Sequence, residues 1–345
     1  MKALIIGLGS MGRKRVQVLT EQKIDVFGVD VRQDRRAYIE KEYGIKTFES
    51  FEKGIEINPE VLILCNMPNE HLQYVKYGLE NGIHTFSEEN CVSEFSLMDD
   101  VIRLSKRNKD IVAAPSCSFR HHPCVQMIKK IIDDGLLGDK SKGFITYHCG
   151  SYLPDWHTYE KVSDYYVKDK ETGGGRDMIV FEYEWLQWIF GDVKSVMANT
   201  VKYGGYEADI FDTYQIISDF DGGTMASVVI DVLLRWSNRY FRYVTEYGEI
   251  NWDYNSHYIN VYDARDGKWR IIPEAPISGP YKGWNQMDMY RDEIRHFISA
   301  VKGETEYCTN YRNEKRLSLI TLASEESSRL GARVSINDTY EESRE

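Results

Sequence analysis

Lys2-Ala3-Leu4-Ile5-Ile6-Gly7-Leu8-Gly9-Ser10-Met11-Gly12 opens the chain with a short apolar run that passes straight into G-x-G-x-x-G. The residues beyond it set Val16, Val18 and Leu19 among charges, a helix-like pattern. In that context the glycines provide a tight turn, close approach of backbone to a pyrophosphate, and a helix N-terminus aimed at negative charge. A second strand, Ile24 to Val31, carries Asp30 at its end. An acid placed there, roughly 20 residues past the turn, accepts hydrogen bonds from the adenosine ribose. The combination predicts a dinucleotide-binding Rossmann domain, with Gly7, Gly9, Ser10, Met11, Gly12 and Asp30 on the cofactor.

Working outward, helical and strand patterns alternate: helix 34–43, strand 46–48, helix 49–56, strand 61–66, helix 70–82, strand 83–87, helix 94–108 and strand 111–114. Parallel strands with helical crossovers form a doubly wound sheet, and cofactor lies across the carboxyl ends of its strands. That rule brings Asn66, Met67, Pro68 and His71 beside the nicotinamide half, although His71 can equally be a polar residue opening the next helix. Asp30 repels a ribose 2′-phosphate, whereas Arg32, Arg35 and Arg36 can attract one or merely begin a solvated helix. NAD is expected over NADP, with Arg32 and Glu88 among the cofactor residues.

A chain of 345 residues exceeds the usual span of one core, so two domains are expected. Its net charge of −11, with acids and bases interspersed, argues against nucleic acid or an anionic membrane as partner. The run before Gly7 is too short for a signal peptide, and no segment offers 18 uninterrupted apolar residues, so a cytoplasmic protein is expected. Six cysteines lie scattered without a C-x-x-C pair, which reads as reduced, buried thiols. No histidine spacing suggests a metal site. The 24 tyrosines and 7 tryptophans suit stacking on sugar rings, or equally a core or an oligomer interface.

The second half begins with a helix over 125–137 and a strand over 143–149. A helix running to Phe190 and stopping at Gly191 comes next. Alternating segments 193–203, 213–220, 223–234, 240–247, 249–254, 258–262 and 268–272 follow, with Asp221-Gly222-Gly223 and Asp266-Gly267 as hairpin turns. Two helices, 287–301 and 311–329, precede an acidic end expected to be mobile.

Met67-Pro68-Asn69-Glu70-His71, His84-Thr85-Phe86-Ser87-Glu88, Phe119-Arg120-His121-His122-Pro123 and Gly173-Gly174-Gly175-Arg176-Asp177 follow the opening turn in order. Together they resemble the glucose-fructose oxidoreductase, inositol dehydrogenase and MocA family over essentially the whole chain. The resemblance implies an NAD(P)-binding Rossmann domain, 1–118. It also implies an α+β domain, 119–345, with a large, mostly antiparallel open sheet, for substrate binding and assembly into homodimers or homotetramers.

Two departures stand out. Family dehydrogenases carry Glu-Lys-Pro after the fifth strand, where this chain has Glu88-Glu89-Asn90; they also carry an Asp followed four residues later by His, where this chain has Asp177 and Phe181. Hydride transfer from an alcohol needs a group that takes the hydroxyl proton, and a phenyl ring cannot.

Replacements are sought in the stretch 147–171, read as loop-like and rich in titratable groups: His157 as base with Asp155 as orienter, and Tyr152 or Tyr165 as donor to a substrate hydroxyl. A surface loop at an oligomer contact is the competing reading. His157, Asp177, Glu88 and Tyr152 form the expected catalytic set; Arg120, Asp155, Trp156, Arg176 and Glu182 form the substrate set. Arg176 can instead bridge to Glu182 or Glu184, and Arg120 can be structural.

The expected function is an NAD(P)-dependent oxidoreductase acting on a secondary hydroxyl or keto group of a sugar, nucleotide sugar or cyclitol. The alternative is a dinucleotide or sugar sensor without catalysis.

Overall fold

The computed structural model describes residues 1–89, 95–158, 160–274 and 286–336; Asn90, Cys91, Tyr159 and the acidic tail lie outside them. Two compact units emerge: Met1–His121 with Asn285–Lys315, and His122–Trp284 with Arg316–Glu345.

The chain alternates β1 (Lys2–Ile6), α1 (Ser10–Glu21), β2 (Asp25–Val29), α2 (Gln33–Tyr43), β3 (Thr47–Phe48), α3 (Phe51–Ile55), β4 (Val61–Leu64), α4 (His71–Asn81), β5 (His84–Ser87), α5 (Phe95–Arg107) and β6 (Ala113–Pro115). The strands form a parallel sheet in the order β3-β2-β1-β4-β5-β6, the doubly wound arrangement expected from the opening turn. Leu62 to Leu64 and Ala3 to Ile6 are buried because helices cover both faces of a parallel sheet. β2 stops at Val29, short of the expected Val31, because the Asp30 carboxylate takes the amides of Leu8 and Arg32 and ends the ladder.

From His122 the chain runs through α6 (Pro123–Asp133), β7 (Phe144–Gly150), α7 (Gly175–Phe190), β8 (Val193–Val201), β9 (Thr213–Phe220), β10 (Met225–Asp231), β11 (Asn238–Thr245), β12 (Gly248–Asp253), β13 (Tyr258–Asp263) and β14 (Lys268–Pro273). Then come α8 (Gln286–Val301), α9 (Tyr311–Leu330) and β15 (Val334–Ser335). Among the described residues the second sheet has nine strands, β14-β13-β12-β11-β7-β10-β9-β8-β15, antiparallel except for the β7–β10 pair. Its strands alternate as predicted: Tyr214, Ile216, Phe241 and Tyr243 face inward, and Ile179, Tyr183 and Leu186 of α7 belong to the same buried core. The opposite face keeps Phe144, Met197, Ile217, Met225 and Tyr240 exposed, with Met225 opposite Phe144 and Ile217 opposite Met197 in register.

Two expectations need correction. A single cut after residue 118 leaves α8 in the second domain, yet α8 belongs to the first unit. There the Glu293 carboxylate accepts from Ser116 Oγ at 2.8 Å, Cys117 N at 2.6 Å and Ser118 Oγ at 2.9 Å. The loop-like reading from residue 147 onward also overlaps the strand expected over 143–149; the strand forms as β7 and reaches Gly150, with Tyr147 to Gly150 pairing with β10 on one side and β11 on the other.

Candidate functional site

In the first unit, β1 delivers the chain to a turn that only glycine can make. Gly7 adopts φ +90°, and a Cβ there would stand 2.6 Å from the backbone of Cys65 and Asn66. A Cβ on Gly12 would stand 2.0 Å from the Gly7 carbonyl oxygen, so α1 can pack this close to β1 only without a side chain. Gly9 differs: the nearest atom to an added Cβ is Arg35 Nη1 at 3.4 Å, which leaves that face open. Gly9 also caps α1 with no side-chain hydrogen bond and no acid in the first turn. The N-terminal amides at Ser10 and Met11 therefore suit an anion.

Asp30 is buried, with Oδ2 accepting from Leu8 N at 2.8 Å and Oδ1 from Arg32 N at 2.8 Å. Its position and charge fit ribose hydroxyls. Arg32 meets Asp34 through Nη2 at 2.7 Å and holds that carboxyl down to about 2, and Arg36 donates to the carbonyls of Asp30 at 2.6 Å and Val31 at 3.1 Å. These pairings, with Asp30 itself, leave little positive potential for a 2′-phosphate, in line with NAD.

At the carboxyl end of β4, Asn66 Nδ2 donates to Glu70 at 2.7 Å, while Asn66 Oδ1 is buried without a hydrogen-bond partner among the described residues. Such an orphaned acceptor fits a cofactor donor. Met67 is exposed beside it, and Pro68 begins a 3-10 turn, Pro68–Glu70. His71 corrects the expectation of cofactor contact: its side chain is only 1% exposed, and Nε2 faces the Asn66 carbonyl at 3.3 Å. Burial pulls its pKa down to about 4, so the neutral ring shapes the turn.

Glu88 receives Arg15 Nε at 2.5 Å, and Arg15 Nη2 stands 2.8 Å from Glu293. Burial pushes the Glu88 carboxyl up while Arg15 opposes it. This ion-paired role, tying α1, the end of β5 and α8 together, replaces that of a free acid. Arg120 likewise turns inward, donating Nη1 to the Cys308 carbonyl at 2.6 Å, which corrects its assignment to substrate.

In the second unit, Asp177 and Phe181 are both half-buried and stand one turn apart on α7, the arrangement expected for one helix face. Tyr166 Oη donates to Asp177 Oδ2 at 3.5 Å, Tyr165 packs on Tyr166, and His157 packs on Tyr165 with ring centroids 5.1 Å apart. His157 thus reaches the Asp177 neighbourhood through a chain of aromatic rings. Tyr152 and Asp155 instead gather around Arg235, whose guanidinium lies 3.9 Å over the Tyr152 ring and 3.7 Å from Asp155. Trp156 Nε1 donates to Ser151 Oγ at 2.8 Å.

Two substrate assignments fail on burial. Glu182 is 0% exposed, accepting from Tyr147 Oη at 2.5 Å, Arg239 Nε at 2.9 Å and Trp185 Nε1 at 3.2 Å. Arg176 directs Nε and Nη2 as a fork onto Glu325, each at 2.5 Å, a partner outside the expected Glu182 and Glu184.

Arg239, unforeseen in the sequence, holds Glu182 while its guanidinium lies 5.7 Å over the Phe181 ring and 5.2 Å over Tyr254. A guanidinium ion-paired with Glu182 therefore stands beside Phe181. The signal was an arginine on the inner face of β11, in step with Phe241 and Tyr243. Chain spacing also hid two side-chain clusters, Cys117 with His121 and Cys308, and His122 with Cys124 and Glu274.

Residues 1–115 match the oxidoreductase family with the NAD-binding Rossmann fold, and residues 125–251 match the GFO/IDH/MocA C-terminal domain. The chain belongs to the GFO/IDH/MocA oxidoreductase family. Its first unit is accordingly an NAD-binding domain. An uncharacterised oxidoreductase of Synechocystis is 22% identical over 145 residues, which span 41% of this chain and 38% of that protein.

Levoglucosan dehydrogenase, solved with NADH and levoglucosan, superposes with a TM-score of 0.86 at 15% identity, covering 98% of this chain and 100% of that one. The WlbA dehydrogenase of Bordetella pertussis, solved with NADH and UDP-GlcNAcA, does so with a TM-score of 0.78 at 16% identity, covering 98% of each chain. At these identities the likeness carries the fold. Among the described residues no helix is long and apolar enough to cross a membrane.

Proposed function

We propose that this family member is an NAD-dependent oxidoreductase acting on a secondary hydroxyl or keto group of a sugar, nucleotide sugar or cyclitol, with non-standard acid/base residues. The observation that carries the reading is the face of α7. Asp177 keeps its family place there, Tyr166 bonds it at 3.5 Å, and Arg239 lies over Phe181 where the base would be. Gly9 and the start of α1 would hold the pyrophosphate of NAD and Asp30 its ribose, and the cofactor so held would supply hydride transfer. Asp177 and His157 handle the hydroxyl proton, and Arg239 supplies positive charge to the developing alkoxide without taking part in proton exchange. Tyr152, Asp155 and Trp156 bind substrate from the segment after β7.

That the solved relatives named above hold levoglucosan and UDP-GlcNAcA supports a carbohydrate-class substrate. The exposed apolar face of the nine-stranded sheet, which an assembly would cover, supports a homodimer or homotetramer. Thiols rather than disulfides at the five described cysteines favour the cytoplasm.

Phe181 in place of histidine and Glu89 in place of lysine favour a second reading, a sensor that binds without turnover. Adding sugars, sugar acids, nucleotide sugars and cyclitols with NAD while following NADH absorbance separates the two. Turnover is expected; ligand-dependent thermal stabilisation with no change in nicotinamide would establish the sensor instead.

A further inference from the structure

Beyond β6 the first unit brings two sulphurs and an imidazole together. Cys117 Sγ and Cys308 Sγ lie 3.3 Å apart, and a ring nitrogen of His121 lies within 4.8 Å of both. Cys117 is buried and its two neighbours are half-buried. His121 Nε2 is buried with no hydrogen-bond partner among the described residues, an arrangement that is costly for a packing residue and natural for one that ligates. Tyr307 Oη stands 3.4 Å from Cys117 Sγ, and the His296 ring lies 5.5 Å from that of His121, forming an outer shell.

We propose that Cys117, His121 and Cys308 form a binding site for a thiophilic divalent cation of the zinc class, the fourth position being filled by water. Two thiolates and one neutral imidazole are a soft donor set that suits zinc, and two thiolates balance its charge. With Zn–S near 2.3 Å, sulphurs on a tetrahedral ion stand roughly 3.8 Å apart, so binding opens the pair by about half an ångström. Each thiol loses its proton to solvent as the metal enters. The ion would clip the carboxyl end of β6 to the loop ahead of α9 within the first unit.

The adjacent histidine takes a different part. His122 Nδ1 accepts Cys124 N at 3.2 Å as the cap of α6, which leaves the proton on Nε2 facing Glu274 at 3.3 Å and removes that nitrogen as a ligand. Cys124→Ser is therefore the control.

The test titrates the reduced, intact protein with cobalt(II) and then zinc, following the thiolate-to-cobalt charge-transfer band and the visible intensity of a tetrahedral ion, with metal content by mass spectrometry. One ion per chain is expected. Cys308→Ser and His121→Ala, each checked for folding by thermal melting, should lose roughly 100-fold or more in affinity, whereas Cys124→Ser keeps it. Reduced wild-type protein that gives no charge-transfer band would overturn the site, as would a Cys308→Ser variant that binds equally well. A Cys117–Cys308 disulfide that, once reduced, still takes up no metal would also overturn it.

Discussion

Glu182 and Arg239 illustrate how a carboxylate conspicuous in the sequence can belong to the core. Glu182 accepts from Tyr147, Cys149, Trp185 and Arg239, and a charge held this way depends on its partner. Arg239→Met should cost about 3–5 kcal/mol in urea unfolding, because it strands a buried carboxylate. The double replacement of Glu182 and Arg239 by Met should cost less than that single change; equal or greater loss would contradict the pairing. His71 carries a pH signature at the same scale. Its folded pKa is about 4 against an ordinary 6.5, so below about 6.5 the unfolded chain binds a proton that the folded chain refuses. Stability should fall as pH drops from about 6.5 to about 4, by on the order of 3 kcal/mol from this residue. His71→Asn should flatten that part of the stability curve, and an unchanged slope would show that the ring titrates freely.

At the scale of elements, the β1 turn and α1 give a sharp contrast between two glycines. Gly12→Ala drives a methyl group to 2.0 Å from the Gly7 carbonyl and should leave little folded protein. Gly9→Ala meets only the end of Arg35 at 3.4 Å, so the chain should fold and melt near the wild-type temperature while binding NAD at least tenfold more weakly. Unchanged NAD affinity in Gly9→Ala, measured by fluorescence titration, would mean that the pyrophosphate lies elsewhere.

The elements themselves were legible because their signals are local: the glycine turn announces β1-α1-β2, and strict alternation with Asp-Gly turns announces the hairpins from β8 to β14. Partners distant in the chain were not legible. Arg15 with Glu88 and Glu293, Arg176 with Glu325, and Cys117 with Cys308 join residues far apart in sequence, and no periodicity encodes such pairs. For the same reason α8 read as a helix of the second domain until the hydrogen bonds of Glu293 placed it in the first unit. Among the expected site residues, the small ones tied to a backbone motif, Gly7, Gly9 and Gly12, stand in the local geometry their motif calls for. Arg120, Arg176 and Glu182, whose long side chains can reach several partners, did not keep their assignments.

For the whole molecule, the nine-stranded sheet covers one face with helices and leaves Phe144, Met197, Ile217 and Met225 exposed on the other. A self-associating chain covers such a face with a second copy. Sedimentation should find a dimer or tetramer, and Met225→Lys, which puts a charge opposite Phe144, should shift it toward monomer; a wild-type monomer at micromolar concentration would contradict this.

The chemistry is tested most directly by NADH formation from NAD with a panel of polyols and nucleotide sugars, comparing wild type with Asp177→Asn. The account predicts turnover with at least one carbohydrate-class substrate, reduced in the variant by roughly 10²–10⁴ while NADH binding is kept. Tight NADH binding with no turnover of any such compound, or full activity in Asp177→Asn, would contradict it.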